Sequence, residues 1–92
     1  MGFYIETGTA LDKADILKQK HGAVEIPQPK RFSDIDPAYG LISVVSNGPF
    51  EAAGFCYDER EFDAFTNPSD HRPKIWLTMD RSKAEQLSGF KS

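Results

Sequence analysis

LISVVSNGPFEAAGFCY, residues 41–57, is the stretch on which the fold turns. Leu41 to Ser46 is apolar on both of its alternating faces, Ile42 and Val44 against Leu41 and Val45. A strand that must bury both faces belongs in the middle of a sheet. Asn47-Gly48 follows, the strongest short turn signal in the chain. Two continuations compete. In one, Asn47-Gly48-Pro49 reverses the chain and Glu51–Tyr57 returns as a strand. In the other, Gly48 caps a helix with Pro49 at its first position. Gly54 and the aromatic pair Phe55 and Tyr57 suit a strand, and a new helix start follows at once. The hairpin is the preferred reading.

Downstream of the hairpin, Asp58 and Glu61 have the spacing of a capping box. Phe62 and Phe65 at i, i+3 anchor a short helix that stops near Asn67-Pro68. Residues 67–73 form a polar loop. Lys74–Met79 is a strand with Ile75, Leu77 and Met79 on one face and Trp76 and Thr78 on the other. Asp80 caps a last helix over Arg81–Ser88, which Gly89 and Phe90 end in a Schellman-like stop.

Upstream, residues 3–7 alternate as a strand. Thr9 then reads as the cap of a helix that runs to about Lys20, with Asp12 in the capping-box position. Lys18, Lys20 and His21 suit the helix C-terminus, and Gly22 ends it. Ala23–Ile26 is a short strand. Residues 27–40, rich in Pro and Gly, are a long excursion with one helical turn at Ser33–Asp36, and excursions of this length often carry function. The resulting class is α+β: a small, mainly antiparallel sheet with two or three helices. Leaving out the short strand and the last helix gives βαββαβ, the ferredoxin-like arrangement. Helices on a single face are expected, because three layers are unusual at this length.

Ninety-two residues make a single domain, 1–92. A hydrophobic fraction of 39% with seven Phe, three Tyr and one Trp suffices for one core. The net charge of −3 gives no support for nucleic-acid binding. The charge is uneven. Residues 51–70 carry Glu51, Asp58, Glu59, Glu61, Asp63 and Asp70 against the single base Arg60; residues 71–92 carry Arg72, Lys74, Arg81, Lys83 and Lys91 against Asp80 and Glu85. Such asymmetry serves a partner or is consumed when the two segments pair in the fold. No apolar run reaches membrane-spanning length, and the N-terminus lacks the basic and apolar regions of a signal peptide. Cys56 is the one cysteine, which excludes an internal disulfide and fits a reducing compartment such as a cytoplasm.

Cys56 lies in an aromatic strand, and neither His21 nor His71 is placed near it by any motif, so it reads as a structural thiol. Two distant histidines and one cysteine give no metal-ligand spacing, and no cofactor motif is present. Asp70, His71, Arg72, Lys74 and Trp76 make the most site-like cluster. They bring an imidazole, a guanidinium, an ammonium and an indole together, types suited to an interface hot spot or an anionic ligand. The ordinary alternative is a surface loop beside a core tryptophan. Asp58, Glu59, Glu61 and Asp63 form a second candidate, an acidic patch, whose ordinary reading is acids favouring a helix N-terminus.

The segments NGPFEAAGF (47–55), DEREFDAFTNPSD (58–70) and RPKIWLTMDRSKAEQLSGF (72–90), with KADIL (13–17) and HGA (21–23), resemble short accessory proteins of tailed bacteriophages and prophages. No catalytic motif and no ligand comes with that resemblance, so no residue role transfers. The resemblance implies a small protein that binds and modulates a host protein, a defence, transcription or replication factor. A domain that sequesters a nucleotide-like small molecule through His71, Arg72, Lys74 and Trp76 is the alternative. A small hydrolase or transferase using His71 and Asp70 is the remainder. The open edges of such a sheet also leave a homodimer available.

Overall fold

The computed structural model describes residues 12–47 and 50–88. Its centre is the strand Tyr39–Asn47 (β2 below), in which Leu41 through Val45 are all buried. The other elements are α1 (Lys13–His21), β1 (Val24–Ile26), β3 (Phe50–Cys56), α2 (Glu59–Phe65), β4 (Lys74–Asp80) and α3 (Arg81–Ser88), with a 3-10 turn at Phe32–Asp34. The strands form one antiparallel sheet in the order β1-β4-β2-β3. This is the α+β class that the sequence indicates, and the hairpin is present: Asn47 pairs with Phe50, and the ladder runs to Leu41 opposite Cys56.

The ferredoxin-like order is not the one formed by these strands. β2 is paired on both sides, to β3 and directly to β4, and β1 adds outside β4. The reason is the double apolar face of β2, which requires neighbours on either side. β3 and β4 are both antiparallel to β2 and so parallel to each other; α2 joins them across β2 in a split βαβ unit. β1 and β2 are likewise parallel, with β4 between them. The sequence-predicted strand at residues 3–7 and the stop at Gly89-Phe90 lie outside the described residues.

Helices cover both faces, which corrects the expectation of a single covered face. On one face Ala14 and Leu17 of α1 and Ala84 of α3 pack on Ile42, Val44, Phe55 and Leu77. On the other, Phe62 and Phe65 of α2, with Phe32 and Ile35, pack on Leu41, Cys56 and Trp76. A strand with apolar residues on both sides leaves one set in water unless both faces are roofed. Burial of Phe62 alone, 5% exposed, contributes on the order of 2 kcal/mol.

Two glycines let the layers close. A Cβ on Gly40 would stand 2.6 Å from the Cβ of Ala84 in α3. One on Gly54, on the opposite face, would overlap the Phe65 ring of α2. The helix starts are set by side chains. Asp12, rather than Thr9, caps α1, its Oδ1 accepting from Asp15 N–H at 2.8 Å. The Glu51 carboxylate of β3 also accepts from Lys13 N–H at 2.9 Å, tying that helix start to the sheet. Asp58 caps α2 and Asp80 caps α3. Gly22 ends α1 at φ 70, in the left-handed region.

Among the described residues one buried side-chain group is unsatisfied: the Ser43 hydroxyl, fully buried beside Gly54 and Trp76, has no hydrogen-bond partner there. An unpaired buried hydroxyl opposes folding by about 1–3 kcal/mol. Ser43→Ala is therefore expected to be neutral or stabilising in chemical denaturation. Gly54→Ala is expected to destabilise by about 1–3 kcal/mol, because Phe65 must move off the sheet. Clear destabilisation by Ser43→Ala would show that the hydroxyl is bonded.

Candidate functional site

The loop between α2 and β4 holds three of the five residues of the basic cluster, Asp70, His71 and Arg72, and Lys74 opens β4 directly after it. Asn67 shapes its start, its side-chain oxygen accepting from the Ser69 backbone N–H. Its end is pinned where Ser46 N–H donates to the Pro73 carbonyl. Inside the loop Asp70 gathers the charges. Its Oδ1 accepts from Arg72 Nε at 2.9 Å and its Oδ2 from Arg72 Nη2 at 2.8 Å, a two-pronged pair. Lys74 Nζ lies 3.5 Å from the same carboxylate and also donates to the carbonyls of Asp70 and Arg72. The Arg72 guanidinium and, behind it, the Lys74 ammonium hold the Asp70 carboxyl well below the usual carboxylate range.

Both cations are thus turned onto a carboxylate of their own loop, and an incoming anion would have to displace Asp70. His71 is exposed beside them. Trp76 does not join the group. It is 3% exposed, with its ring 5.6 Å from Phe62 in the layer under α2. Trp76 lies on the face away from Ile75 and Leu77, as the strand period requires, but that face is also roofed, so the indole is core rather than a stacking platform.

The acidic candidates divide in the same manner. Asp58 is the cap of α2, and Glu59 and Asp63 stand exposed along it. Glu61 is half-buried, and burial together with the nearby Glu61 carboxylate holds the Tyr57 phenol above its ordinary range. Asp70 joins the acidic segment to the basic one through Arg72 and Lys74, whereas Asp58, Glu59 and Asp63 form no ion pair among the described residues. The Cys56 thiol is fully buried in the α2-facing layer. Burial first, then the nearby Glu61 carboxylate, pushes it up to about 12, so it is not a nucleophile at neutral pH. No group of His, Cys, Asp and Glu among the described residues is arranged to hold a metal ion.

Sequence reasoning missed another surface. Val24 and Tyr39 are 61% and 51% exposed, the large apolar side chains left in water among the described residues. Val24 and Leu41 both pair with Thr78, so all three share a face, and Tyr39, two residues before Leu41, shares it too. Extending the period of β2 back from Leu41 would have placed Tyr39 there. What the pattern lacked was the path of residues 27–38, which roofs Leu41 and Trp76 with Ile35 and Phe32 and leaves the strand ends bare.

No family model, no curated protein and no solved structure matches this chain.

Two outcomes follow from the buried thiol and the loop pair. Cys56 should stay unmodified by a thiol reagent in the native protein at pH 8 and react at once in denaturant; fast native labelling would contradict its burial. The Asp70 carboxyl carbon, followed by NMR, should titrate below the ordinary value of about 4. Because its acidity is raised in the fold, the pair supports the loop above that pH, and the support disappears as acid protonates Asp70. Titration near 4 would show that the fork is open in solution.

Proposed function

We propose that this protein is a small binding module that modulates a protein of a bacterial host, a defence, transcription or replication factor, as its resemblance to phage accessory proteins suggests. The observation that supports it is the exposed end of one sheet face, where Val24 and Tyr39 remain in water while Leu41, Ile42, Phe55, Trp76 and Leu77 are inside. Exposed aromatic and branched residues that share one face are material for a protein contact. The resemblance, and not the surface, is the ground for a host target in a bacterial cytoplasm.

The nucleotide-sequestering alternative depended on Trp76 and two available cations. With the indole under Phe62 and both cations on Asp70, it has lost the features that suggested it. No helix among the described residues is long and apolar enough to cross a membrane. A homodimer built by joining sheet edges meets obstacles at β1, which is three residues long, carries Glu25 at its centre and is followed by Pro27. Short length, charge and proline are devices that keep edges from pairing.

Affinity capture from bacterial lysate, followed by reconstitution with the purified captured protein, tests the proposal. The expected result is one host protein that forms a stable complex from purified components. Absence of any such complex, with small molecules released on denaturing the purified module, would contradict it.

A further inference from the structure

From the sheet end that carries Val24, Thr78 and Tyr39, we infer a docking surface for a partner segment in which Lys or Arg side chains alternate with apolar ones. The inference rests on the protein-binding reading and adds the chemistry of the partner. The strip is apolar along its middle and acidic at its rim. Asp80 is the direct register partner of Tyr39 on β4. On the other side Leu41 pairs with Cys56, so continuing that register by two residues sets Asp58 opposite Tyr39, in extended backbone. Asp36 lies just before it, its carbonyl accepting from Tyr39 N–H at 2.9 Å.

The three carboxylates have the same state. Each is exposed and uses Oδ1 to take a backbone N–H: Ala38 for Asp36, Glu61 for Asp58, Lys83 for Asp80. None is in an ion pair among the described residues, unlike Glu25, Asp70 and Glu85, which each hold a cation. Tyr39 is thus flanked, in sequence and in register, by three exposed carboxylates that hold no cation among the described residues. A guanidinium or ammonium laid over the phenol ring meets its negative face and the second oxygens of these carboxylates together. Apolar residues of the same segment meet Val24 and the Thr78 methyl. A nucleic-acid backbone or an anionic membrane would be repelled by the same rim, so the partner is a protein.

Nitrogen-15 NMR titration with a synthetic peptide of alternating Arg and Leu, and with its Glu-Leu counterpart, tests this. The expected result is shifts confined to residues 24, 36, 39, 58, 78 and 80 with the Arg-Leu peptide, and none with the Glu-Leu peptide. Tyr39→Ser should weaken binding roughly fivefold. The triple variant D36N/D58N/D80N should lose binding while keeping its melting temperature, because Asn caps a helix as well as Asp does. Shifts centred instead on Glu59 and Asp63 of α2, or unchanged binding by the triple variant, would overturn the inference. The protein-binding reading fails separately: a host complex that forms with wild type and survives Tyr39→Ser and the triple variant refutes the docking surface alone.

Discussion

β2 cannot leave either of its faces in water. Leu41, Ile42, Val44 and Val45 alternate across one strand, and all four are buried. That requirement places β2 between β3 and β4 and makes one sheet serve two layers. α1 and α3 roof the side of Ile42 and Val44; α2 and the Phe32 turn roof the side of Leu41. The glycines are consequences of the same demand. Gly40 admits α3 and Gly54 admits Phe65, one on each face, because a layer that cannot approach closely leaves its strand half-wet.

The double roof also decides which side chains remain for chemistry. Cys56 and Trp76, the residues most suggestive of a nucleophile and a stacking platform, both point under α2 and are consumed by packing. Arg72 and Lys74 remain outside, but Asp70 engages them first. What the roof does not reach is the end of the sheet where β1 starts and β2 begins. There the chain descends through Asp36, Pro37 and Ala38 into β2, α2 and α3 both start, and each start brings an aspartate cap to the rim. The bare apolar strip and its uncompensated acids thus have one origin, the convergence of two helix starts on an uncovered strand end.

Much of this was legible in the residues. The double apolar face of 41–46, Asn47-Gly48, the capping aspartates 58 and 80 and the alternation of 74–79 gave the hairpin, two helix starts and the last strand, because each is a local signal. Gly22 and the basic end of α1 were legible for the same reason. The strand order was not, since it depends on where the apolar faces of separate segments meet. The second roof was not either: α2 shares it with Phe32 and Ile35 of residues 27–38, whose prolines read as an excursion without a destination. The candidate site failed in the sequence for one cause. Asp70, Arg72 and Lys74 looked available together, and only the loop's three-dimensional turn shows that the acid closes on both bases.

Side-chain nuclear Overhauser contacts from methyl-labelled protein test the two-roof architecture most directly. The account predicts that Ile42 contacts Leu17 and Ala84, whereas Leu41, the next residue, contacts Phe62 and Trp76, with no helix touching both. Contacts from Leu41 and Ile42 to the same helix, or a Leu41 methyl that meets only solvent, would contradict it.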